Sequence, residues 1–132
     1  MKTTKNIKNV LIVIEDTQGT AEMAAGIADA LKGERVQVRN VSEFQGNDIL
    51  PADAFFLGCE RPNPASFNYI TDLFKHINLA SRPCGVFSPG TKEAAGYLAS
   101  LVLDSEAALK GEPLHSGSGT GLKEWAQSVI AG

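Results

Sequence analysis

Residues 10–31 read VLIVIEDTQGTAEMAAGIADAL, and this stretch limits the fold more than any other. The first five residues are unbroken apolar. Glu15, Asp16, Thr17, Gln18, Gly19 and Thr20 follow, all polar or glycine. Then the spacing changes: Ala24, Ile27, Ala28 and Leu31 recur at three and four, one face of a helix. A short apolar run, a tight polar turn and an amphipathic helix form the first half of a βαβ unit. Backbone N–H groups at such a helix start are unpaired and the dipole end there is positive, so anionic ligand groups settle at that point. A small-molecule site in this chain is expected to begin here.

The rest of the chain repeats the alternation. RVQVRNV (35–41) alternates in polarity and reads as a half-exposed edge strand, whereas DAFFLGC (53–59) and RPCGVFS (82–88) are continuously apolar and read as central strands. Residues 42–52 carry at most a short helix. Gly33 suits the C-terminal cap of the first helix, placed at 20–32. In the third helix Asn63 is the expected cap and Pro64 the first helical residue, with Phe67, Ile70, Leu73, Phe74 and Ile77 on one apolar face. Pro89 and Gly90 break the strand before them. Thr91 caps the next helix, which faces Ala94, Leu98, Leu101, Val102 and Leu109 inward. Residues 112–116 contain Pro113 and form an edge strand at best. A glycine-rich loop at 117–121 precedes a last helix with Leu122, Trp125, Ala126, Val129 and Ile130 on one face.

This pattern predicts a single α/β domain over 1–132. It is a three-layer, doubly wound fold with a five-stranded parallel sheet in the order 2-1-3-4-5. Winding reverses between strands 1 and 3, so the ligand crevice lies at their carboxyl ends. Residues 15–20, 60–67 and 88–92 would line it.

With 132 residues the chain can bury a substantial core. A net charge of −3 argues against nucleic acid as a partner, since phosphate binding needs a basic face. No apolar run reaches the length of a membrane span, and residues 10–14 are too short for a signal-peptide core, so the chain reads as cytoplasmic. Cys59 and Cys84 sit in apolar runs and read as buried free thiols. His76 and His115 lie far apart with no nearby cysteine and read as structural or surface residues, not metal ligands. No side chain reads as a general acid, a general base or a nucleophile with a base partner.

Three stretches carry a resemblance to the flavodoxin-like family, over essentially the whole length. They are the apolar strand, Thr/Gly turn and helix GTAEMAAGIADAL; FFLGCERPNPASFNYITDLF; and RPCGVFSPGT. They resemble the family's phosphate loop, third strand with its flavin loop, and fourth strand with its flavin loop. The resemblance implies flavin mononucleotide as cofactor. It also implies electron transfer to a redox partner protein or small acceptor, an electron carrier more than a quinone or other flavin-dependent reductase. The implied cofactor-binding residues are Asp16, Thr17, Gln18, Gly19 and Thr20; Glu60, Arg61, Pro62 and Asn63; and Ser88, Pro89, Gly90 and Thr91.

The chain departs from the family's pattern in three ways. Gln18 and Gly19 replace Gly and Asn in a loop one residue shorter. Glu15 and Asp16 stand where the family has small neutral residues, and water would screen their charge wherever they face outward. Neither flavin loop offers a Trp or Tyr to stack on a ring. Other readings of the same residues stay open. Thr17 and Thr20 can cap the helix or bind phosphate, and Arg61 can be a solvated loop residue or lie over a flavin edge. Ser88, Gly90 and Thr91 can form a turn and cap or meet a ring with their backbone. The whole chain can be a flavodoxin-fold module that has lost its cofactor and binds a partner. A receiver-like signalling domain shares the sheet order and an acidic pair after strand 1, but strand 3 ends in Cys59 and Glu60 with no phospho-accepting Asp.

Overall fold

The computed structural model describes residues 7–116 and 121–131. Strand β1 (Asn9–Ile14) leads to helix α1 (Gln18–Ala30), then β2 (Arg35–Asn40), the short α2 (Gly46–Ile49), β3 (Ala54–Gly58), α3 (Asn68–Phe74), β4 (Pro83–Phe87), α4 (Lys92–Asp104), β5 (Ala108–Leu109) and α5 (Leu122–Ala131). The five strands form one sheet in the order β2-β1-β3-β4-β5, every neighbouring pair parallel. The strand characters had set this order: β1, β3 and β4 are buried in the middle, while β2 keeps an exposed edge.

Alternate residues of each central strand feed two cores. Val10, Ile12, Ala54, Phe56 and Phe87 pack with Ala24 and Ile27 of α1 and Trp125, Ala126 and Val129 of α5. On the other face Leu11, Val13, Phe55, Leu57, Cys84 and Val86 pack with Ile70 and Phe74 of α3 and Leu98 and Val102 of α4. Trp125 meets Phe56 and Phe87 edge-on, with centroids 5.5 and 6.4 Å away, and its indole N–H donates to the carbonyl of Glu112 at 2.8 Å. Burial and that bond together fix α5 on the sheet. Cys59 and Cys84 are buried and unbridged. Among the described residues no helix is long and apolar enough to cross a membrane, and no cluster of three or more His, Cys, Asp or Glu could hold a metal.

Four local expectations are corrected. The fifth strand is Ala108–Leu109, not 112–116. Helix α4 stops at Asp104 because Glu106 takes a left-handed φ of 65°, so Leu109 is a strand residue beside Cys84 and not a helical one. Gly111, at φ 68°, and Pro113 then lift the chain off the edge before Leu114 returns to pair with Phe87. Helix α1 starts two residues early, at Gln18. It ends on buried Leu31, whose N–H bonds to the carbonyls of Ile27 and Ala28, and Gly33 is not its cap. Asn63 does not cap α3. It turns the loop with φ 51°, a conformation Asn tolerates, and Pro64 caps a 3-10 turn at Ala65–Phe67 instead. Of the glycine-rich loop at 117–121, residues 117–120 lie outside the described residues.

Two glycines give opposite expectations. A β-carbon on Gly58 would collide with the Phe87 ring, which is fully buried beside Trp125 and cannot retreat. Gly96 lies inside α4 with nothing within 4 Å of the same position. Gly58→Ala should cost about 1–3 kcal/mol or more by overpacking, and Gly96→Ala should gain about 0.5–1 kcal/mol from helix propensity. Thermal melts of the two variants check this, with opposite shifts expected.

Candidate functional site

The crevice at the carboxyl ends of the strands is built by three connections: β1 to α1, β3 to α3, and β4 to α4. Its architecture starts from Glu15. This residue follows the last residue of β1 and its N–H continues the sheet, donating to the carbonyl of Gly58 at 2.9 Å. The residue is only 9% exposed, and its carboxylate accepts the N–H of Glu60 at 2.8 Å. Glu15 thus turns inward, where water does not screen its charge as it would an outward-facing one. A buried carboxylate needs a donor, and a backbone N–H from the neighbouring loop supplies it.

Glu60 is held on its other side too. Its carbonyl lies against Gly90 so closely that a β-carbon there would collide with it, and it is the partner of the Ser88 hydroxyl at 3.5 Å. That hydroxyl also accepts the N–H of Gly90 at 3.0 Å, and Ser116 donates to the carbonyl of Gly90 at 2.8 Å. Pro89 covers Gly19: a β-carbon on Gly19 would lie 3.1 Å from the Pro89 ring and 3.7 Å from a carboxylate oxygen of Glu60. The fold thus brings Gly19, Glu60, Ser88, Pro89 and Gly90 together, and it places the Glu60 carboxylate beside the first turn of α1.

Thr17 is the N-cap of α1 and accepts the N–H of Thr20 at 3.3 Å. Its hydroxyl also meets that of Thr20 at 2.6 Å, and Thr20 is fully buried. The two hydroxyls therefore serve the cap and each other. Thr91 caps α4, accepting the N–H of Ala94 at 3.1 Å. Asp16 is exposed, and Gln18 faces along the helix toward Glu22 at 3.2 Å. Arg61, Pro62 and Asn63 are exposed on the rim, and the geometry does not draw them into the Gly19–Glu60 contact. The residue whose role sequence reasoning missed is Glu15. Apolar periodicity ends at Ile14 and carries no information on the direction of the next side chain.

Cys59, next to Glu60, donates its thiol to the carbonyl of Arg61 at 3.2 Å and folds the loop back. Burial first, and then the charge of Glu15, push its pKa up to about 12. Burial likewise pushes Cys84 well above the ordinary thiol value. Neither thiol is a nucleophile near neutrality.

No protein-family model matches the chain, and no curated protein matches it either. Solved structures do. A short-chain flavodoxin associated with a bacterial microcompartment superposes with a TM-score of 0.79 at 16% identity, covering 95% of this chain and 98% of its own. A Streptococcus pneumoniae flavodoxin gives 0.77 at 18%, with 93% and 97% covered. A Fusobacterium nucleatum flavodoxin mutant bound to flavin mononucleotide gives 0.76 at 13%, with 95% and 96% covered. This chain has the flavodoxin-like fold. At such identities the likeness establishes the fold alone.

The raised thiol gives a pH expectation for this chain. In the unfolded chain Cys59 ionises near its ordinary value of 9.0, whereas in the folded chain it stays protonated to about 12. Above pH 9 the folded state therefore binds more protons, so stability falls as pH rises through this window. Cys84 and Tyr97 are raised as well and act in the same direction, but both are retained in a Cys59→Ala variant. Urea unfolding from pH 7 to 11 should show a parent-minus-variant difference that is flat below pH 9 and shrinks above it; parallel curves would count against the assignment.

Proposed function

We propose that this chain is a flavodoxin-fold partner-binding module whose crevice is shut against the phosphate of flavin mononucleotide. The observation that carries this is the position of Glu60. Its carboxylate stands beside Gly19, in the first turn of α1, where the positive end of the helix would otherwise receive a phosphate. Glu15 and Asp16 add two more acids from the preceding loop, and the Thr17 and Thr20 hydroxyls are already bonded to each other. The ring end fits no better. The described part of both flavin-loop segments, 60–63 and 88–91, offers no aromatic side chain, and the two backbones touch at Glu60 and Gly90. Function then passes to the exposed rim of Asp16, Glu60, Arg61 and Asn63 as a surface for another protein. Two buried, unbridged cysteines are in keeping with a reducing cytoplasm.

A second reading has one observation in its favour: the hydroxyls of Thr17 and Thr20 do converge at the start of α1. In that reading Thr17, Gly19 and Thr20 hold the phosphate, and residues 61–63 and 88–91 flank the ring. Flavin mononucleotide, when bound, supplies the one- and two-electron chemistry for exchange with a redox partner or small acceptor. It is the weaker reading because the phosphate would meet the Glu60 carboxylate, with Glu15 and Asp16 in the preceding loop.

Fluorescence titration with flavin mononucleotide separates the two. The parent should show no saturable binding, and it should purify without visible absorption. Glu60→Ser removes the acid while leaving the Glu60 backbone N–H for Glu15, so it should gain measurable affinity, greatest at low salt because exposed charges are screened as salt rises. Stoichiometric binding by the parent would establish the electron-carrier reading instead.

A further inference from the structure

A cleft of about 560 Å³ opens beyond the C-terminal end of β2, between the β2–α2 connection and the start of α3. Its size falls within the range of small-molecule sites. It shares no lining residue with the Gly19–Glu60–Gly90 contact. The walls come from Phe44, Gln45, Gly46 and Asn47 on one side and Ser66 and Tyr69 on the other.

Three features of this cleft define a ligand chemistry. Tyr69 is half exposed, and its ring is backed by buried Phe44, with centroids 6.1 Å apart and planes tilted by 58°. The ring is also pinned at its far end, because the N–H of Gly46 donates to the phenol oxygen at 2.9 Å. That bond uses the oxygen as acceptor and leaves the phenol proton to be donated. The approach is close: a β-carbon on Gly46 would come within 3.3 Å of the phenol oxygen, and the ring would have to give by a few tenths of an ångström. The lining contains amides and hydroxyls but no charged side chain, and the acids Glu43 and Asp48 are near neighbours in sequence. A held aromatic face with neutral donors and acceptors around it suits a flat, uncharged heterocycle, and the neighbouring acids disfavour an anion.

We propose that this cleft binds an uncharged aromatic base or nucleoside, stacked on Tyr69, with the base edge met by the amide and hydroxyl groups around it. The proposal is independent of whether the crevice takes flavin. Amide NMR titrations of the full chain with adenosine and with uridine test it. Saturable shifts are expected at Gly46, Asn47, Ser66 and Tyr69 with at least one nucleoside, and adenosine monophosphate should bind no tighter than adenosine. Tyr69→Ala should weaken binding by about tenfold or more, the scale of one lost base stack, while Tyr69→Phe keeps most of it. Asn47→Ala, an exposed change that spares the core, should also weaken binding if Tyr69→Ala does not fold. Absence of saturable shifts at those four residues with both nucleosides at millimolar concentration would overturn the proposal. So would shifts confined to Thr17, Glu60 and Gly90, or markedly tighter binding of the monophosphate.

Discussion

The N–H of Glu60 bonded to the carboxylate of Glu15 is the interaction on which the crevice depends. It joins the connection after β1 to the connection after β3, and the second of these rests on the connection after β4 through Glu60 and Gly90. A hydrogen bond to a charged acceptor contributes about 1.5–3 kcal/mol, and leaving a buried carboxylate without its donor costs more than a neutral group would. Glu15 is thus a structural acid, and the sheet supplies its rigidity: its own N–H continues the β1–β3 ladder. The loops are not three independent arms that a ligand gathers. They are already gathered.

The same interlock sets the electrostatics. Two unit charges about 4 Å apart repel by about 1 kcal/mol in water and about 4 kcal/mol at the effective dielectric of a protein surface, and a phosphate dianion doubles either figure. The exposed Glu60 carboxylate is partly screened, so its opposition lies between those limits. Against it stand the hydroxyls of Thr17 and Thr20, at about 1.5–3 kcal/mol each if both turned to a phosphate. Turning them would give up the α1 cap, worth about 1 kcal/mol. On the proposed reading, Glu15 and Asp16 tip the remaining balance toward exclusion. The helix dipole, which draws phosphate in many folds, here faces a carboxylate of its own chain.

Much of the fold was legible in the sequence because burial leaves a periodic mark. Continuous apolar runs identified β1, β3 and β4, and the alternation at 35–41 identified the β2 edge. Topology then followed from the preference for right-handed crossovers. The fifth strand was misread because it is two residues long and its Ala108 and Leu109 extend the apolar spacing of α4. Only the left-handed turn at Glu106 separates them, and glutamate is no signal for that conformation. The caps at Thr17 and Thr91 were legible because a hydroxyl before a helix has one dominant local use. The crevice was less so. That Gly90 must be small reflects the carbonyl of Glu60, thirty residues away, and the direction of Glu15 reflects a donor in the connection after another strand. Neither is a local property of the chain.

Phosphorus NMR of flavin mononucleotide with the unmodified protein tests exclusion of the phosphate most directly, because it observes that group alone. The resonance should keep its free position and width as protein is added at low salt. A shifted or broadened line that saturates at one equivalent would contradict the account and place a phosphate at the start of α1 despite Glu60.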